Sequence, residues 1–87
     1  MAEKKTKKIS MTIDSAGVIT KSSGDTVLEA LENIKMDWKR VRFKNIVVFK
    51  QGKKKHERIY NILKMKKILN NKQFRQTEAK YVELLLK

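Results

Sequence analysis

Eighty-seven residues with no cysteine make one small domain at most, and they exclude disulfides and thiolate metal sites as its staples. Lys and Arg number 22 against 9 Asp and Glu, a formal net charge of +13, and self-repulsion of that size is relieved by a polyanionic partner. No apolar run reaches the roughly 18 residues of a membrane span, and no apolar segment follows the opening MAEKKTKK, so the expectation is a cytoplasmic or otherwise intracellular protein without a signal peptide.

Residues 1–7 are polar and lysine-rich and are expected to form a flexible basic arm, leaving residues 8–87 as a single α+β domain. Ile9, Met11 and Ile13 alternate with Ser10 and Thr12, the period of a half-buried strand. Asp14-Ser15-Ala16-Gly17 suits a type I turn or a bulge. Residues 18–21 return as the second strand of a hairpin, and Ser22-Ser23-Gly24 reads as a loop.

From Asp25 to about Met36 the spacing predicts a helix. Thr26 and Glu29 fit a capping box, with Asp25 as a competing cap. Val27, Leu28, Leu31 and Ile34 share one face, while Asp25, Glu29 and Glu32 form an acidic stripe on another. Residues 41–49 are the strongest strand and the expected centre of the sheet. Val41, Phe43, Val47 and Phe49 are assigned to one face and Ile46 and Val48 to the other, as in a strand buried on both sides over part of its length.

Gln51-Gly52 ends that strand in a tight turn. Residues 53–62 fit a returning strand, and they also fit a helix, since Ile59, Ile62, Leu63, Met65 and Leu69 cluster on half of a helical wheel. The reading adopted is a short strand near 54–60 and then a helix over about 61–69. Asn70-Asn71 breaks the chain. A last helix runs over about 72–86, with Phe74, Tyr81, Leu84 and Leu85 as its apolar face.

The fold expected is therefore a small, mainly antiparallel sheet followed by one or two C-terminal helices. Hairpin, helix, then strand resembles the opening order of β-grasp domains, and Asp-Thr-Val-Leu-Glu-Ala-Leu begins a helix much as theirs do. The diglycine tail of ubiquitin-like carriers and the cysteines of plant-type ferredoxins are absent from this chain.

The charge is partitioned. Residues 1–34 carry five lysines (Lys4, Lys5, Lys7, Lys8, Lys21) against five acids (Glu3, Asp14, Asp25, Glu29, Glu32). The whole excess falls in residues 35–87, where only Asp37, Glu57, Glu78 and Glu83 oppose the basic side chains. His56 has no second histidine and no cysteine to complete a metal site, and Glu57 beside it points to the other face of a strand. It reads as a solvated histidine rather than a catalyst. The three glycines lie in separate turns and form no phosphate loop. No cofactor, no metal and no enzymatic activity are expected.

The remaining candidate is a basic surface over residues 35–75. Its nucleic-acid-binding candidates are Lys39, Arg40, Arg42, Lys44, Lys53, Lys54, Lys55, Arg58, Lys64, Lys67, Lys72 and Arg75. Trp38 is a candidate for base stacking and, alternatively, a cap on the core. The 18 lysines against 4 arginines suit backbone contact more than base reading. The expected function is non-catalytic binding of DNA or RNA with little sequence preference. The alternative is a small structural or adaptor module, in a ribonucleoprotein or virus-type assembly, that meets an acidic protein surface.

Overall fold

Two hairpins side by side build the sheet. In a computed structural model that describes residues 8–36, 39 and 41–87, β1 (Ile9–Ser15) pairs with β2 (Val18–Gly24), and β3 (Lys44–Gln51) pairs with β4 (Lys54–Asn61). β1 and β3 join the hairpins antiparallel, giving the order β2-β1-β3-β4. α1 (Val27–Glu32) lies between the hairpins in sequence, and α2 (Ile62–Asn70) and α3 (Lys72–Leu86) follow them. The α+β expectation is met. The expectations for residues 1–7, Trp38 and Arg40 lie outside the described residues.

The alternation read in β1 fixes the inner face. Ile9, Met11, Ile13 and Ser15 are all buried, and their partners in register include Phe49, Val47 and Asn45 on β3. Tyr60 extends this face onto β4 opposite Asn45. Val27, Ala30 and Leu31 of α1, Met65 and Ile68 of α2, and Ala79, Val82 and Leu86 of α3 close the core over it.

Both turns have two residues. Ala16 and Gly17 both have positive φ, at 53° and 91°, as a type I′ hairpin turn requires. This corrects the expected type I turn, whose twist would splay the strands. Asp14 Oδ1 accepts from Gly17 N–H at 2.9 Å. In the second hairpin Gly52, at φ 62°, takes the conformation that a side chain would resist.

Ser22-Ser23-Gly24 is strand, not loop, with Gly24 opposite Ile9 in register. Here α1 approaches closely. Ser22 Oγ donates to the Ala30 carbonyl at 2.6 Å, and Asn33 Nδ2 donates to the Ser23 carbonyl at 3.0 Å. A Cβ on Gly24 would stand 2.7 Å from both Ala30 N and Glu29 Cβ. Gly24→Ala is accordingly expected to lower stability by about 1–3 kcal/mol through overpacking, as a lower midpoint in urea unfolding. An unchanged midpoint would show that α1 is not seated this tightly.

Thr26 caps α1, its Oγ1 accepting from Glu29 N–H at 3.1 Å, while Glu29 Oε1 accepts from Asp25 N–H at 3.1 Å. The helix stops at Glu32, shorter than expected, because Asn33 closes it and then bonds to β2. Asn61 and Asn71 cap α2 and α3 in the same way, accepting from Lys64 N–H and Phe74 N–H.

Three assignments of facing need correction. β3 begins at Lys44, so Phe43 stands outside the strand at 84% exposure rather than in the core. Ile46 and Val48 are only half-buried, because helices cover one side of the strand and not both. In α3 the inner face is Glu78, Ala79, Val82 and Leu86, while Tyr81, Leu84 and Leu85 are exposed. The buried carboxylate hid this face from an apolar count.

Candidate functional site

Side chains of odd-numbered β3 residues point to the core, so the even-numbered ones reach the opposite side of the sheet. No residue on that opposite side is buried. It forms an open platform four strands wide. Its register can be written across the sheet: Ile19, Asp14, Ile46 and Ile59 make one row, and Lys21, Thr12, Val48 and Glu57 the next. Ser23, Ser10, Lys50 and Lys55 make the third, and Lys44 stands at the opposite end of β3.

Lys50 and Lys55 are direct cross-strand partners. Their Cβ atoms are therefore about 5 Å apart, an arrangement that works against stability. Lys53 continues the same positive end into the hairpin turn. Among the described residues, none of Lys21, Lys44, Lys50, Lys53 and Lys55 has a carboxylate within ion-pairing distance.

Four of the acids hold hydrogen bonds within the fold, Asp14 among them, while Glu57 stands exposed on the platform itself. Asp14 and Glu29 accept from backbone N–H groups in the first turn and at the α1 cap. Glu83 Oε2 accepts from Val27 N–H at 3.3 Å, tying α3 to α1. Glu78, only 7% exposed, accepts from Tyr60 Oη at 2.5 Å and Arg58 Nε at 2.9 Å through one oxygen, Oε2. The Arg58 guanidinium carbon also lies 4.6 Å from the Tyr81 ring centroid, within cation–π range. Burial first, and then the Glu78 carboxylate, push the Tyr60 hydroxyl far above the ordinary tyrosine range.

The basic residues picked out by sequence thus divide. Arg42, Lys44, Lys53 and Lys55 are exposed and stand on or beside the open face, and Lys54 is exposed at the end of the hairpin. Lys64, Lys67 and Lys72 belong to the helical layer. There Lys64 Nζ lies 5.8 Å from the Tyr60 ring centroid, and Lys67 Nζ lies 5.8 Å from that of Phe74. Arg58 is committed to Glu78. Arg75 is committed to the end of α2, where Nη1 donates to the Ile68 and Leu69 carbonyls at 3.2 Å. That contact satisfies orphan C-terminal carbonyls at the negative end of the helix. Lys39 is exposed.

His56 is half-buried opposite Phe49, on the helix side of the edge strand, while Lys55 and Glu57 turn to the platform. Among the described residues no group of three His, Cys, Asp or Glu could hold a metal ion, and no helix is long and apolar enough to cross a membrane.

Sequence reading missed three contributors. Lys21 and Lys50 join the platform only through the strand register. Phe43, exposed between Arg42 and Lys44, borders it at the β1–β2 turn. An aromatic directly between two cations was the available signal, and its place in an apolar alternation concealed it.

Compared with known proteins, the chain matches no family model, no curated protein and no solved structure. The likeness to the opening of β-grasp domains rests on element order alone.

Proposed function

We propose that this protein is a non-catalytic, intracellular nucleic-acid-binding domain that holds the phosphate backbone of DNA or RNA on its lysine-bearing sheet face, with little sequence preference. The observation that carries this reading is the division of charge partners. Asp14, Glu29, Glu78 and Glu83 accept hydrogen bonds within the fold, and among the described residues no carboxylate lies within ion-pairing distance of Lys21, Lys44, Lys50, Lys53 or Lys55. Facing lysines at positions 50 and 55 cost stability in the absence of a ligand, and a phosphate between them would offset that cost.

Changing Lys50, Lys53 and Lys55 together to Gln tests the reading. Affinity for duplex or single-stranded DNA is expected to weaken by about 1–3 kcal/mol at moderate salt. The slope of log K against log salt should flatten by about 0.9 for each phosphate no longer neutralised on a duplex, and by about 0.7 on a single strand. Thermal stability should hold or rise slightly, and His56→Ala should leave affinity unchanged. Affinity and salt slope both unaltered in the triple variant would refute the assignment.

A second reading, an adaptor that meets an acidic protein surface, draws support from the helical layer, where Lys67 and Lys72 are exposed together with apolar side chains. Tyr81, Leu84 and Leu85 are exposed on α3 and Leu63 on α2. Loss of one protein partner from a pull-down when Lys67 and Lys72 are both changed to Gln, with nucleic-acid affinity intact, would favour that role.

A further inference from the structure

Resting on the nucleic-acid reading, we infer that the ligand of the open face is single-stranded, with Phe43 as its base-stacking residue. Phosphates alone do not account for this surface. Its middle is aliphatic: Ile19 and Ile59 are 51% and 56% exposed, with Ile46 and Val48 half-exposed between the strands that carry them. Asp14 and Glu57 stand in the same two rows. Carboxylates there repel phosphates, and they accept hydrogen bonds from the exocyclic amines of bases. The cations lie around that middle: Lys50 and Lys55 at one end, Arg42 and Lys44 at the other, and Lys21 on the β2 edge.

A strand whose bases turn toward the sheet while its phosphates follow the rim meets all of these groups. A duplex keeps its bases stacked inside and presents only phosphate ridges to a flat sheet. From Lys44 to Lys50 the platform runs roughly 20 Å along β3, enough for the smallest single-strand sites of about 4 nucleotides.

Phe43 supplies the stacking surface. A phenyl ring left 84% in water between two cations contributes nothing to the core, and base–aromatic stacking is what such a ring offers a splayed strand. Its position is built rather than incidental. The bend that carries it is fixed from beneath by buried Asn45, which accepts from Arg42 N–H at 3.4 Å and donates to the Arg42 carbonyl at 2.9 Å. The ring borders a shallow depression at the β1–β2 turn, beside Ile46 and Asp14, where a single base has room to lie.

The test is fluorescence anisotropy on the full chain. The probes are a mixed-sequence single-stranded DNA, the same sequence as RNA, the blunt duplex, heparin and polyglutamate, all at one salt concentration. The single strands should bind at least 10-fold tighter than the duplex. Phe43→Ala should weaken single-strand binding about 5- to 100-fold, leave heparin within 2-fold, and leave the salt slope unchanged because no charge is removed. Phe43→Trp should restore single-strand affinity, and circular dichroism melts should show both variants folded, since the ring lies outside the core. Duplex binding as tight as single-strand binding overturns the inference, as does a Phe43→Ala variant with unaltered single-strand affinity. Polyglutamate binding that matches the single strands and falls with Phe43→Ala reassigns the face to an acidic protein. A wild-type chain that binds none of the nucleic acids or heparin removes the underlying reading itself, a result distinct from these.

Discussion

Glu78→Ala is expected to cost about 3–4 kcal/mol of folding stability, a large share of what a domain this small holds in reserve. Two donors lose their acceptor at once. Tyr60 Oη is wholly buried and would be left without a partner, which costs about 1–3 kcal/mol by itself. The Arg58 side chain is about a fifth exposed, so water recovers part of its loss, which places the total toward the low end of the range for breaking a buried ion pair. Tyr60→Phe should cost less, about 1–2 kcal/mol, because the carboxylate keeps Arg58. Urea unfolding of the two variants beside wild type measures the order, and a Glu78→Ala midpoint within error of wild type would contradict it.

The same hydroxyl gives the fold an alkaline limit. Tyr60 holds its proton in the folded state to far higher pH than in the unfolded chain, where tyrosine ionises near pH 10. The stabilisation is fully present below about pH 10. Above it the unfolded chain gives up a proton that the folded one keeps, so stability falls by about 1.4 kcal/mol per pH unit. Lysine titration overlaps this range, and the difference between wild type and Tyr60→Phe isolates the tyrosine. The wild type should lose stability faster with rising pH. Equal pH dependence in the two proteins would show that the hydroxyl is not held as described.

Asn45→Ala is expected to cost about 3 kcal/mol, for a different reason. The Asn45 amide is wholly buried and uses all of its hydrogen-bonding capacity. Nδ2 donates to the Arg42 and Tyr60 carbonyls, each at 2.9 Å, and Oδ1 accepts from Ser15 Oγ at 2.6 Å and from Arg42 N–H. Removing it strips buried partners from β1, β4 and the bend before β3 together, and such networks lose more than one isolated bond. Asn45→Asp should be no milder, since it turns a carboxylate toward two carbonyl oxygens. Ser15→Ala should cost only about 1 kcal/mol. Equilibrium unfolding tests the series, and the bend predicts a second effect: where Asn45→Ala remains folded, single-strand binding should fall as it does for Phe43→Ala. A stable Asn45→Ala protein with wild-type binding would rule out this role.

Signals that act over a few residues were legible in the chain. The alternation of β1, the turn at Gly52, the cap at Thr26 and the helix start near Asn61 stand in the structure, as does the strand adopted near 54–60, where the pattern fitted a helix as well. Each depends on neighbours that are close in sequence whatever the rest of the chain does. Net charge and its confinement to residues 35–87 belong to the same class, since they need no coordinates.

Tertiary structure alone decided which residues serve the fold and which face outward. Glu78 lies twenty positions from Arg58 and eighteen from Tyr60, and Asn45 lies thirty from Ser15, so no local pattern marks them as buried. Periodicity places Phe43 with Val47 and Phe49, and the bend held by Asn45 turns it into solvent. Arg58 and Arg75 count equally with the lysines in a tally of charge. A planar guanidinium can bond a carboxylate or two carbonyls at fixed angles, and packing brings those acceptors to it, Glu78 to Arg58 from twenty positions away and the end of α2 to Arg75 across the α2–α3 junction. Among the described residues Lys21, Lys44, Lys50 and Lys55 have no carboxylate within ion-pairing distance, and the strand register brings them onto one open face of the sheet.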